Sequence, residues 1–222
     1  SGTPQTDAYF AGSKALNLPG GTTAQRASTP TEGDIRKNTT THTPEYFDGT
    51  RWLYLSPTLY IATADKSVTN TTTETSLVGT GVGNLTLPAD FLTVGKTIRI
   101  KLTGIFTTPG TPGNLTIRLK LGSTTIASVA TTDLVSGAVD DVFEITAQFT
   151  CRSVGGSGTV MTGGLVTYQS GSSTASDALD NGGSTATIAT NSSQLLDITG
   201  QWDTADASKS VTIKTATFEV LY

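Results

Sequence analysis

The chain of 222 residues predicts an all-β protein: a small N-terminal arm and hairpin module followed by an antiparallel two-sheet sandwich. Three observations point there. After residue 58 apolar and polar residues alternate at two-residue spacing, as in Ile98, Ile100 and Leu102 against Arg99 and Lys101. Glycine is abundant, at 24 residues, and turn dipeptides such as Glu32-Gly33, Asp48-Gly49 and Pro109-Gly110 break the alternation into strand-length pieces. Charged residues make up only 14% of the chain, and no segment sustains a helical period.

Residues 1–17 show no period and read as an extended arm. Tyr9 and Phe10 are adjacent aromatics in an otherwise small and polar segment, so they are expected to pack on a neighbouring surface. Residues 18–57 then form a module. Thr29-Pro30 through Gly33-Asp34 is turn chemistry, Ile35–Thr39 alternates as a short strand, and Pro44–Leu55 reads as a hairpin around Asp48-Gly49. That hairpin carries Tyr46, Phe47, Trp52 and Tyr54. A hairpin of this size is marginal alone, so its aromatic cluster should meet a partner surface, either the sandwich or another copy. The boundary is placed at residue 57, giving an arm and hairpin module over 1–57 and a sandwich over 58–222.

Within the sandwich, Ile98–Phe106 and Leu115–Leu121 read as half-buried strands joined through Pro109–Gly113. Paired as a hairpin they would gather Arg99, Lys101, Arg118 and Lys120 on one cationic outer face, with Glu144 as a counter-charge. Phe143, Ile145, Ala147, Phe149 and Cys151 line one face of a second hairpin, which turns at Gly155–Gly158 and returns through Thr159–Gln169. Ser170–Ser184 reads as a long loop. Leu196, Ile198 and Trp202 alternate in a further strand. The last strand changes phase between Ile213 and Ala216, which predicts a bulge or a sheet-switching bend near Lys214 to Ala216, and its apolar character up to Tyr222 predicts a C-terminus held in a sheet. About eight strands in this region fit a jelly roll. No internal repeat suggests a propeller or β-helix.

Net charge and residue usage limit the chemistry. A formal charge of −4 and a pI near 4.9 disfavour nucleic acid and basic-patch attachment to membranes. No apolar run approaches the ~20 residues of a membrane-spanning helix. His42, the only histidine, sits in a polar loop, and Cys151, the only cysteine, lies on an apparent core face. The two supply neither a nucleophile with its base nor a transition-metal shell, so no catalytic, metal or cofactor-binding residue is expected. Asp177, Asp180, Asp203 and Asp206 sit in turns and Ser/Gly-rich loops, where aspartate commonly serves local hydrogen bonds. They are the receptor-loop candidates. Glycan cleavage needs a carboxylate pair flanking the bond, and no such constellation stands out. Tyr168 and Trp202, the aromatics a glycan surface would use, read as core.

One stretch carries a resemblance. Leu18-Pro19, Gly21-Thr22-Thr23-Ala24-Gln25-Arg26, Pro30, Glu32-Gly33, Ile35-Arg36, Asn38-Thr39, Glu45-Tyr46-Phe47, Gly49 and Trp52 resemble a segment found repeatedly in tailed-bacteriophage fibre and other virion appendage proteins. The chain departs at Ala27, where that segment usually has proline, and at Asp34, where an apolar residue is common; the spacing is kept. Leu87–Lys96 and Leu119–Gly122 are similar to jelly-roll domains of phage fibre and head-appendage proteins. The resemblance implies a bacteriophage virion structural protein, not an enzyme. It would be a homotrimer in contact with other virion proteins, assembled in the host cytoplasm, binding a host surface glycan or protein through the sandwich. Tyr9, Phe10, Tyr46, Phe47, Trp52 and Tyr54 would then be subunit or virion contacts. The alternative reading is a carbohydrate-binding module of a secreted bacterial protein, with exposed aromatics and loop carboxylates on a monomeric sandwich.

Overall fold

The computed structural model describes residues 17–40, 43–55 and 58–221, in two compact units, Ser1–Ser56 and Pro57–Tyr222. Tyr9, Phe10, His42 and Tyr222 lie outside the described residues.

The small unit holds β1 (Gly20–Gly21), a 3-10 turn (Thr23–Gln25), β2 (Ile35–Asn38), β3 (Thr43–Phe47) and β4 (Trp52–Tyr54), in spatial order β1-β2-β3-β4. The expected hairpin is present, with Phe47 opposite Trp52 and Glu45 opposite Tyr54. Its turn is set by Asp48, whose Oδ1 accepts the backbone N–H of Thr50 at 2.9 Å and of Arg51 at 2.7 Å. The sheet is wider than the sequence indicates, because β1 pairs in parallel with β2 through two glycines that carry no side-chain pattern to read.

The sandwich contains β5 (Thr58–Ala62), β6 (Lys66–Thr69), β7 (Thr75–Ser76), β8 (Gly81–Gly83), β9 (Thr86–Leu87), β10 (Thr97–Thr107), β11 (Leu115–Leu121), β12 (Thr124–Ala130), β13 (Asp141–Ser153), β14 (Gly158–Ser170), β15 (Ser173–Ala178), β16 (Ala186–Ile188), β17 (Gln194–Trp202) and β18 (Ser210–Val220). The larger sheet runs β15-β14-β13-β10-β18-β5-β8, with β6 on β18 and β16 on β14; the smaller runs β12-β11-β17-β7, with β9 on β17. This is more than the expected count of about eight, because several edge strands span only two or three residues. The main path is nevertheless an eight-station one: β5, then β7 with β9, β10, β11, β12, β13, β17 and β18. The first, eighth, third and sixth stations lie side by side in one sheet, and the second, seventh, fourth and fifth in the other. That double Greek key is a jelly roll, as the sequence predicts.

Two sequence expectations are corrected. β10 and β11 do not form a hairpin; they belong to opposite sheets, and residues 108–114 carry the chain across. Alternation specifies that each strand buries one face but not which sheet holds it. The four cations therefore split between the two outer faces, and each pair is neutralised locally. Arg99 bonds Glu219 at 2.6 Å and Lys101 pairs with Glu144 at 3.3 Å, while Lys120 and Arg118 share Glu74 at 2.8 and 3.7 Å. The second correction concerns Ser170–Ser184, read as loop, where β15 pairs with β14 as an edge strand. Its sequence, STASDA, buries neither parity and so carries no alternation.

The second hairpin and the bulge stand as expected. β13 and β14 pair from Phe143 with Tyr168 to Cys151 with Val160. Along β10 and β18, Thr103 faces Thr215 but Gly104 faces Ile213, which leaves Lys214 as the extra residue and lets Ile213 and Ala216 both point inward. Pairing continues past β18, where Leu221 N–H donates to Thr97 O at 2.9 Å. Phe106, Phe143, Phe149, Tyr168, Trp202 and Phe218 fill the core, with Phe106 and Tyr168 edge to face at 6.5 Å.

Candidate functional site

In the small unit the sheet buries its polar side. Along β2, Arg36 and Asn38 are buried while Ile35 and Lys37 are exposed, and Glu45 beside them on β3 is wholly buried. Arg26 reaches Glu45 with two bonds, Nε to Oε1 at 3.2 Å and Nη2 to Oε2 at 2.6 Å. Asn38 Nδ2 donates to Oε2 at 3.0 Å, and Arg36 Nε stands 3.4 Å from Oε1. The far end of Arg36 staples the 3-10 turn, donating from Nη1 to Gln25 O at 2.7 Å and from Nη2 to Thr22 O at 3.0 Å. Gln25 closes the turn by accepting Thr22 N–H at 2.9 Å. Burial alone would raise the Glu45 carboxyl, but the bonds from Arg26 and Asn38 and the charges of Arg26 and Arg36 outweigh it and hold it below the ordinary 4.5.

The predicted contact aromatics divide around this network. Phe47, Trp52 and Tyr54 share the parity of Glu45, with Phe47 and Trp52 rings 5.6 Å apart and the Arg36 guanidinium 5.9 Å over Trp52. Tyr46 lies on the other face, in a directly paired row with Ile35 and Leu53. All four aromatics are half-buried. The sequence offered the arginines and Glu45 only as parts of a spacing pattern. A charged residue inside a short polar strand gives no sign that it is buried.

The loop carboxylates of the sandwich occur as two local pairs. Asp177 and Asp180 flank the end of β15. Asp177 accepts the Tyr168 hydroxyl at 2.5 Å; burial, helped by that carboxylate, pushes the phenol up to about 12. Asp180 accepts Gly182 N–H at 2.8 Å. Asp203 and Asp206 share the β17–β18 loop. Asp203 accepts Asn114 N–H at 2.9 Å and the Lys209 ammonium at 2.8 Å, while Asp206 accepts Ser208 N–H at 2.7 Å. Lys209 is buried, donates also to Thr204 Oγ1 at 2.6 Å and lies 5.6 Å over Trp202. Nothing in its Ser-Lys-Ser context marks it as a core residue. Each of the four aspartates thus serves a bond within its own surroundings.

On the outer face of the larger sheet, Arg99, Lys101, Thr146, Thr217 and Glu219 line a shallow depression. Among the described residues, no group of three or more His, Cys, Asp or Glu side chains could hold a metal ion, and no helix is long and apolar enough to cross a membrane. Cys151 is buried, its Sγ donating to Ser153 O at 3.3 Å, and burial pushes the thiol up. Thiol reagents at neutral pH are expected to leave Cys151 unlabelled until denaturant unfolds the sandwich; labelling of the native chain would contradict that burial.

Every aromatic side chain among the described residues of the sandwich is buried: Tyr60, Phe91, Phe106, Phe143, Phe149, Tyr168, Trp202 and Phe218. The half-exposed ones all belong to the small unit. No protein-family model matches the chain, and no curated protein matches it. Among solved structures, lectin I-B4 from Griffonia simplicifolia in its metal-free form is similar over 86% of this chain and 92% of its own, at 11% identity and a TM-score of 0.31.

Proposed function

We propose that this chain is a non-enzymatic virion structural protein of a tailed bacteriophage, a homotrimeric fibre or appendage subunit. The small unit serves assembly or attachment to other virion proteins, and the jelly roll faces a host surface glycan or protein. The observation that carries the reading is where the resemblance residues fall. Thr22, Gln25, Arg26, Arg36, Asn38 and Glu45, read from spacing alone, join in one hydrogen-bonded network around the buried Arg36, Asn38 and Glu45. That the residues of the shared pattern hold this unit together supports the reading.

The distribution of aromatics supports the same assignment of roles. Large amphipathic rings are favoured where a surface is to be covered by a partner, and here the half-exposed rings stand on the small unit. A monomeric carbohydrate-binding module would instead present rings on its sandwich, whose described aromatics are all buried. Chemical cross-linking of the dilute full chain tests the reading: bands should end at three chains, and a ladder absent at every concentration would overturn it.

A further inference from the structure

We propose that Asn181 is a site of spontaneous covalent modification, in which its side-chain amide is lost to the backbone nitrogen of Gly182 with Asp180 as the base. The proposal is independent of the virion reading. Asn181-Gly182 is the one Asn-Gly pair in the chain. It lies in the exposed loop between β15 and β16, in the run Asp180-Asn181-Gly182-Gly183-Ser184.

Three features of the loop favour the reaction. The Gly182 nitrogen is unshielded: a Cβ built on this residue would meet nothing within 4 Å, and the residue sits at φ +61°, where side chains rarely go. Its N–H points at Asp180 Oδ1, 2.8 Å away, within the reach a general base requires. The Asn181 side chain is directed forward along the loop, toward the C-terminal side where Gly182 follows, with Nδ2 donating to Ser184 O at 3.3 Å. Asp180 is itself anchored, its carbonyl accepting Ser128 N–H at 3.0 Å.

The chemistry balances with water alone as co-reactant. Gly182 N gives its proton to Asp180 Oδ1 and attacks Asn181 Cγ. The new C–N bond forms as the Cγ–Nδ2 bond breaks, and Nδ2, already carrying two hydrogens, takes the one proton back from Asp180 and leaves as ammonia. Water then opens the cyclic imide at either carbonyl. One product is aspartate; the other is isoaspartate, with the main chain routed through the side-chain carbon. Either changes the formal charge from −4 to −5 (−4 − 1) and places a second carboxylate beside Asp180. Isoaspartate also adds a backbone atom and breaks the turn closed by Ser184 N–H on Asn181 O at 3.1 Å.

The test uses the folded full chain, incubated in mildly alkaline buffer and sampled over time. Trypsin releases the peptide bounded by Arg152 and Lys209, which also contains Asn191 as an internal control. Fragmentation mass spectrometry reads the site, and isoaspartyl methyltransferase labelling reads the isomer. Conversion is expected at Asn181 with Asn191 intact. Gly182→Ala should slow it on the order of tenfold by crowding the nitrogen, and Asp180→Ala should slow it severalfold. Thermal melts of both variants establish that the sandwich is folded while rates are compared. An Asn181 that stays intact while denatured chain converts there would overturn the site. A faster reaction in Asp180→Ala would show the bond to restrain the nitrogen and would overturn the role given to Asp180.

Discussion

Glu45→Ala is expected to unfold the small unit while the jelly roll stays folded. The substitution leaves the Arg26 and Arg36 guanidiniums facing each other across the space of a wholly buried carboxylate. Removing one partner of a buried ion pair costs about 3–5 kcal/mol. A unit this small, with a polar interior, has little apolar burial to offset such a loss. Trp52 fluorescence and protease sensitivity before residue 57 report on the small unit; protection of the 58–222 fragment reports on the sandwich. Acid should do reversibly what the substitution does permanently. The folded carboxyl is held below the ordinary 4.5, so its contribution is fully present above that value and is lost as pH falls through the lower folded one. A Glu45→Ala chain whose small unit melts like wild type would show the network to be incidental.

Gly104→Ala carries the second large effect, and it falls on the sandwich. A Cβ on Gly104 would stand 2.1 Å from Thr212 O and 2.9 Å from Ile213 Cα, both backbone atoms that cannot swing aside. The contact sits beside the Lys214 bulge, where β18 bends toward β10 in the middle of the larger sheet. Overpacking of this kind typically costs 1–3 kcal/mol, and with rigid backbone on the other side about 3 kcal/mol is expected here. Calorimetry should show a lower melting temperature for the sandwich transition alone. An unchanged melting temperature would mean that the strands can separate at the bulge without penalty.

What was legible in the sequence followed from what alternation encodes. Long strands with one apolar face announced themselves, and so did the phase change at Lys214, because an inserted residue shifts every later side chain to the other parity. Sheet membership was not legible. Leu115–Leu121 buries the same kind of face whether it pairs with β10 or crosses to the other sheet, so the cationic face expected from the hairpin does not exist. Edge strands such as β1 and β15 have no side-chain pattern to read. The small unit shows the deepest limit. Its aromatics stand out because rings in a short hairpin need cover, yet its interior is built from Arg36, Asn38 and Glu45, with the half-buried Arg26 closing over the carboxylate, residue types that ordinarily mark a surface. Asp203 reads in sequence as a turn carboxylate making local hydrogen bonds, and it does accept Asn114 N–H, but its other partner, the buried Lys209, gives no signal.

The central claim is that the small unit brings copies of the chain together, and the most direct measurement is the mass in solution of the full chain beside that of residues 58–222, by light scattering at matched concentrations. Three chains are expected for the 222-residue protein and one for the truncated sandwich. A full-length chain that sediments and scatters as a monomer, with Trp52 fluorescence showing its small unit folded, would contradict it.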